Sequence, residues 1–265
     1  MIFISPLFLI YFIVLSGILG SAMASFVSCY AVRYLRGESI VGGRSHCDSC
    51  GHALGVLDLL PVVGYLFLKG KCRYCKAEIG RSGFRLECGM ALVFVALLLR
   101  YDISPLLVRA FLFVSILLAI SLIDFKSYTI PNTLIACGIL CWAVFIPFAP
   151  QGAWAYIKEG LIGGLVIGGA LLLFSLGADF LLKKESMGGG DIKLIFVTGL
   201  YLGLVQNLLN LILSCIIGII FGLVMQKRSD TKNGGIIPFG PAIAMGTLIT
   251  LLIGEQISTW YLGLF

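Results

Sequence analysis

Charge is what this chain has least of. Asp, Glu, Lys and Arg make up 12% of its 265 residues, 59% are hydrophobic, and mean hydropathy is +1.05. A soluble globular domain carries roughly 25% charged residues. A chain of this length cannot hide so much apolar surface from water, so its solvent is lipid. Histidine is nearly missing too. His46 and His52 are the only two, and both lie in one cysteine-rich polar stretch. That leaves no Ser/His or Cys/His pair among the apolar segments for nucleophilic hydrolysis. No basic residue precedes Arg33, and the first apolar run outlasts a signal-peptide core, so it is expected to be a retained span. The sequence shows no internal repeat and no glycine-rich dinucleotide fingerprint. The nine cysteines do not form a secreted disulfide framework. Four stand in two tight pairs, and Cys29, Cys88, Cys137, Cys141 and Cys215 sit in or beside apolar stretches, where free cysteine behaves as a small hydrophobe.

What is present in abundance is apolar runs of spanning length, about 20 residues each. Eight qualify or come close: Ile4–Ala31, Cys88–Tyr101, Pro105–Ile123, Thr133–Phe148, Gly160–Leu182, Leu194–Gln206, Leu208–Met225 and Phe239–Gly254. Cys88–Tyr101 and Leu194–Gln206 are short enough to suggest re-entrant or tilted segments. The expected fold is an all-α polytopic membrane protein of about eight transmembrane helices, with a small cytoplasmic zinc-binding insertion after the first. Its organisation reads as a first transmembrane helix over 1–32, a polar insertion over 33–87 and a transmembrane region over 88–265.

Lys and Arg placement sets the orientation. With the N-terminus outside, every Lys and Arg except Arg100, Arg109 and Lys158 falls on the inner side. The net charge of +6 is therefore topology and attraction to lipid headgroups, and gives no reason to expect a nucleic-acid partner. The polar insertion faces the cytoplasm in this reading.

Within the insertion, Cys47 and Cys50, then 21 residues, then Cys72 and Cys75 form two C-x2-C pairs. Four thiolates so spaced suit tetrahedral Zn²⁺, and the reducing cytoplasm favours metal over disulfides. Four sulfurs leave no open position, so the zinc is expected to be structural. Gly51 after the first pair and Gly70 before the second fit tight knuckle turns. Buried free thiols are the plainer alternative, and no thioredoxin-like unit surrounds the pairs to support a redox role. His46 and His52 are expected on the surface.

Ionisable residues in a span cost roughly 2.5–3.5 kcal/mol on insertion scales, so each is a functional candidate. Asp124 closes the third span, and Asp191 follows Gly188, Gly189 and Gly190 at the entrance to the sixth. Both fall at cytoplasmic helix ends and can face one another. Two carboxylates within reach share a proton, the arrangement an aspartic protease needs. The three glycines lack Cβ atoms, so they can take positive φ and admit a substrate backbone, as an added strand for instance. Taken singly, an Asp at a helix end is more often a cap or an interfacial anchor. Asp179 is a third membrane carboxylate, expected to have a local hydrogen-bonded or packing role. Glu87, Glu159 and Glu255 are expected at interfaces.

The residues then meet a known pattern. The chain resembles the type IV prepilin peptidases, the prepilin leader peptidase/N-methyltransferases of bacterial membranes. The segments that carry the likeness include Ser25-Phe26 leading to Arg33, Arg44-Ser45-His46-Cys47 through Cys50-Gly51-His52, Leu60-Pro61-Val62, and Gly70-Lys71-Cys72-Arg73 with Cys75. Then come Asp124 with Ile130-Pro131, Met187 through Leu194, and Pro238-Phe239-Gly240-Pro241, all in family order. The glycine–aspartate element also resembles that of the wider intramembrane aspartyl proteases. The resemblance implies cleavage of the leader of prepilins or pseudopilins at the cytoplasmic face of the bacterial inner membrane, with Asp124 and Asp191 as the catalytic pair. It further implies N-methylation of the new terminus with S-adenosylmethionine, and zinc held by Cys47, Cys50, Cys72 and Cys75. One position departs: where the family often reads Asp, this chain has Asn132, and peptidase activity is expected to survive that change. A peptidase without the methyltransferase, a zinc-stabilised transporter and a scaffold of a secretion machine remain the competing readings. The oligomeric state is not legible.

Overall fold

The computed structural model describes residues 6–39, 45–47, 49–55, 57–183, 187–228 and 238–263. The expected start of the first span at Ile4, and the basic residues Arg44, Lys184 and Lys232, lie outside the described residues. Among those described there are helices and no strand. The helices are α1 (Pro6–Arg36), α2 (Val63–Phe67), α3 (Arg81–Tyr101), α4 (Pro105–Ser127), α5 (Asn132–Val144), α6 (Ala153–Leu182), α7 (Gly189–Arg228) and α8 (Gly240–Leu262), with a 3₁₀ turn at Ile146–Phe148. Six of them, α1, α3, α4, α6, α7 and α8, are long and apolar enough to cross a membrane.

Two expectations about span length change. The Cys88–Tyr101 run is the inner part of α3, which starts at Arg81 and reaches 21 residues, so α3 is full length rather than re-entrant. Apolar counting missed its first two turns because Arg81, Arg85 and Glu87 sit there. The short Leu194–Gln206 run belongs to α7, whose 40 residues would measure about 60 Å if straight, twice a bilayer's hydrocarbon thickness. Instead the helix breaks at Gly203 (φ 74°, ψ −178°). Across the break Asn210 Nδ2 donates to Thr198 Oγ1 at 3.2 Å, and Asn207 Nδ2 to the Ile195 carbonyl at 3.1 Å. Residues 12 apart on one straight helix would be about 18 Å apart, so the chain folds back at Gly203 into two antiparallel halves. These halves correspond to the two expected apolar runs, Leu194–Gln206 and Leu208–Met225, with the boundary at Gly203 instead of Asn207. The Thr133–Phe148 run is α5, of 13 residues, with the 3₁₀ turn that follows it.

The chain divides into two compact units, residues 1–107 and 108–265. In the first, α1 packs on α3, with Gly20 lying directly against the Met90 backbone. In the second, α4 carries much of the core through Phe113, Leu117, Ile120 and Ile123, each 2% exposed or less. The α6–α7 contact is built on small residues. Added Cβ atoms at Gly160 and Gly164 would stand 2.7 Å from the Leu200 and Phe196 carbonyls, and one at Gly168 would stand 3.2 Å from Phe196 Cβ. Glycine every fourth residue on one helix face lets backbones touch, which is how helices associate where no water drives them together.

Candidate active site and metal centre

Both membrane aspartates lie in the second unit. Asp124 sits one turn from the end of α4, which runs on to Ser127 rather than stopping at Ile123 as expected. The helix then ends on Tyr128 in a left-handed conformation (φ 54°), its N–H donating to the Asp124 carbonyl at 2.9 Å. Asp124 is 4% exposed, and its Oδ2 accepts the Gly240 N–H at 2.9 Å. Gly240 opens α8, with Pro241 in its first turn, so the donor is one of the N–H groups that a helix start leaves without an internal partner. A Cβ at Gly240 would stand 2.7 Å from Asp124 Oδ2. Only glycine brings the amide this near.

Asp191 stands half-buried in the first turn of α7, its N–H bonded to the Gly188 carbonyl at 3.0 Å. It lies close enough to Asp124 for the two carboxylates to feel one another's charge. Two further contacts join the segments bearing them. A Cβ on Gly190 would stand 3.0 Å from Ile130 Cβ, and Lys193 Nζ donates to Asn132 Oδ1 at 3.0 Å. The segment after α4 and the start of α7 are therefore pinned together beside both acids. The expected positive φ at the triple glycine does not occur: none of Gly188, Gly189 and Gly190 has it. Their use is spatial. Gly190 makes room for Ile130, and a Cβ at Gly188 would lie 3.0 Å from Asp191 Oδ2.

Gly240, Ile130 and the Asn132–Lys193 pair were absent from the expected site. The Pro-Phe-Gly-Pro motif and the unusual Asn132 were visible in the sequence, but nothing local tells what either touches. Of the remaining carboxylates named from the sequence, Asp179 is half-buried in α6, Glu159 accepts from Gln151, and Glu87 accepts the Val62 N–H at 2.7 Å.

In the first unit the two cysteine pairs form matching knuckles. Cys47 N–H donates to the His52 carbonyl and Cys72 N–H to the Ala77 carbonyl, while Gly51 and Lys76 donate back to the carbonyls of Cys47 and Cys72. An antiparallel bridge closes each, His46 with Ala53 and Lys71 with Glu78. Gly51 and Gly70 both take φ of 69°, as tight knuckle turns require, and Lys76 matches Gly51 with φ 59°. The result brings all four sulfurs within 4.8 Å of one another, with Cys47 and Cys75 at 3.8 Å. Sulfurs about 2.3 Å from a tetrahedral zinc lie about 3.8 Å apart, so the donor set and spacing fit a metal ion. The Cys47 thiol is held down at about 6 by the N–H groups of Cys50 and Ser49. The Ala77 N–H favours the Cys75 thiolate, yet lost hydration and the three neighbouring sulfurs push that thiol up to about 11. Both histidines are exposed, and the His52 ring meets that of Tyr74 in a tilted contact, centroids 3.6 Å apart, rather than joining the sulfurs.

Comparison with known proteins covers both units. Residues 18–101 match the bacterial peptidase A24 N-terminal domain, and residues 111–223 match the type IV leader peptidase family. No solved structure gives a significant match. The prepilin leader peptidase/N-methyltransferase of Bacillus subtilis (strain 168) is 30% identical over 92% of this chain and 96% of its own length. That of Aeromonas salmonicida (strain A449) is 33% identical over 83% of this chain and 75% of its own. That of Pseudomonas aeruginosa is 34% identical over 84% and 76%. The two matched regions meet close to where the chain divides into its compact units, and the likeness runs through the cysteine knuckles and the paired aspartates alike. The protein is thus a multi-pass bacterial membrane enzyme belonging to the type IV prepilin leader peptidase family.

Proposed function

We propose that this chain removes the leader of type IV prepilins or pseudopilins at the cytoplasmic membrane face, with Asp124 and Asp191 as its catalytic pair, and then methylates the new N-terminal residue. The observation that carries the peptidase half is the meeting of two carboxylates from separate helices beside glycine-cleared backbone. In this mechanism one carboxylate is ionised and takes a proton from water as the oxygen attacks the scissile carbonyl. The other, protonated, hydrogen-bonds the carbonyl oxygen and so stabilises the charge that develops there. Collapse of the tetrahedral intermediate breaks the C–N bond, and the leaving amine departs with a proton from the pair. The Gly240 amide fixes Asp124, and the Lys193–Asn132 and Gly190–Ile130 contacts hold Asp191 opposite it.

Cys47, Cys50, Cys72 and Cys75 would hold a structural zinc that cross-links the two knuckles. The methyl-transfer half is supported by the names of the relatives and by the matched N-terminal domain. It takes S-adenosylmethionine as a second substrate, whose methyl group passes to the newly freed amine. The inward bias of Lys and Arg supports the cytoplasmic orientation.

The test is to incubate the purified protein with a prepilin and labelled S-adenosylmethionine, and to weigh the product by mass spectrometry. Loss of the leader with gain of one methyl group on the new terminus is expected. Cleavage without the methyl would leave a peptidase alone. An intact prepilin, with an active relative cutting it in parallel, would return the chain to the transporter reading.

A further inference from the structure

The polar insertion carries one stretch that does not read as polar. Over residues 57–67, Leu57, Leu60, Val63, Leu66 and Phe67 are exposed, by 65%, 42%, 44%, 58% and 84%. Isolated exposed apolar side chains are ordinary, but a run of them on a small module marks an interaction surface.

The attachment of this stretch shows where it lies. Its short helix α2 is bound to the start of α3 by two contacts. Glu87 accepts the Val62 N–H at 2.7 Å, and Tyr65 stacks on Phe84 with ring centroids 4.7 Å apart. The first contact holds Val62 at φ 61°, a conformation a β-branched residue rarely adopts, so the packing around it is specific. Now α3 has 21 residues and measures about 31 Å, barely the hydrocarbon thickness of a bilayer. To span at all, it must put its first turns at the membrane boundary. Phe84 and Glu87 therefore sit at headgroup depth, and α2, bonded to them, sits at the same level.

Charge favours the same neighbour. Exposed Lys69, Lys71, Arg81 and Arg85 flank the apolar residues. Of the acids nearby, Asp58 is paired with Arg73 at 2.8 Å and Glu87 is taken up by Val62, while Glu78 stands in the second knuckle. An apolar patch with a basic border is the pattern of a segment lying in an anionic lipid surface.

We propose that residues 57–67 form a membrane-surface anchor, with Val63, Leu66 and Phe67 dipping into the headgroup–acyl boundary of an anionic leaflet, so that the cysteine knuckles ride against the bilayer. The anchor does not depend on the aspartate pair or on methyl transfer.

The test places the photo-crosslinking residue p-benzoylphenylalanine at Phe67 in the full-length protein. A control places it at Tyr74, also exposed (48%) but on the cysteine cluster rather than on α2. Each is reconstituted in nanodiscs of phosphatidylethanolamine with or without phosphatidylglycerol, irradiated, and analysed by mass spectrometry. Lipid adducts several-fold more abundant at 67 than at 74, and rising with phosphatidylglycerol, are expected. Equal yields at the two positions would overturn the proposal. So would a probe at 67 that captures added prepilin and no lipid, since the patch would then be a substrate surface.

Discussion

At the scale of single residues, the chemistry was legible in the sequence and its support was not. Asp124, Asp191 and the four paired cysteines announce themselves because carboxylates are costly in lipid and C-x2-C spacing is rare by chance. Gly240 and Lys193 act through partners 116 and 61 residues away, and no local pattern encodes such contacts. The aspartate assignment predicts that Asp124→Asn and Asp191→Asn will each lower prepilin cleavage by at least roughly a hundredfold. The Asn side chain at 124 keeps an oxygen for the Gly240 N–H, so the thermal midpoint of that variant should stay near wild type. Near-normal cleavage by either variant, scored by mass spectrometry, would end the assignment. Gly240→Ala should also impair cleavage, because its methyl would meet Asp124 at 2.7 Å and push the carboxyl group off its place. Among the thiols, a thiolate is the nucleophile, so alkylation climbs with pH through the thiol's own titration. In chelator-treated protein Cys47 should react before Cys75, with a midpoint near pH 6 against about 11. Equal rates at these two, with a midpoint near that of free cysteine, about 8.5, would mean that the knuckles do not hold their shape without metal.

At the scale of elements, hydropathy located the spans but misjudged how two of them begin and turn. The charged first two turns of α3 hid its true length, and the two halves of α7 were divided at Asn207 when the reversal is at Gly203. A glycine inside an apolar run says only that something is special there. What marks Gly203 is a backbone conformation, φ 74° and ψ −178°, that is essentially confined to glycine. A Cβ there would touch nothing within 4 Å, so the effect of Gly203→Ala is a backbone effect alone. It should destabilise the fold by about 1–3 kcal/mol. The reversal also gathers Thr198, Asn207 and Asn210, each 0% exposed, into one hydrogen-bonded cluster, with Asn207 Nδ2 additionally donating to the Gly163 carbonyl of α6. Loss of the turn would strand these groups away from water, which makes the cost of strain hard to relieve locally. Thermal unfolding in detergent measures it, and a Gly203→Ala midpoint equal to wild type would argue against a fixed reversal at this residue. The knuckles make the parallel case in the first unit. Cys47→Ser or Cys72→Ser should lower bound zinc well below one ion per chain by elemental analysis, and unchanged zinc in both would refute the four-cysteine site.

At the scale of the whole molecule, the distribution of charge does what no single residue can. Arg100, Arg109 and Lys158 are assigned to the outer side, and every other Lys and Arg to the inner. Arg109 shows how a cation can be buried in the helix bundle: 7% exposed, it donates to Tyr156 OH at 2.6 Å and lies over the rings of Tyr156 and Tyr201. Cation–π contacts and a phenol offset part of the cost of its burial without requiring a carboxylate. On α4 this arginine stands near the first turn and Asp124 near the last, about 22 Å apart along the axis. If the arginine marks the outer boundary, the aspartate must lie toward the inner one. The same logic puts Lys183, at the end of α6, on the side of Asp191. Alkaline phosphatase, which folds only outside the cytoplasm, reads this directly when fused after successive loops. A fusion after Pro150 should be active, one after Lys183 inactive, and one after Arg100 active. The reverse pattern would place both aspartates, and the cleavage proposed for them, in the outer compartment. Prepilin leaders would then have to cross the membrane before being cut, and the positive-inside bias would need a cause other than topology.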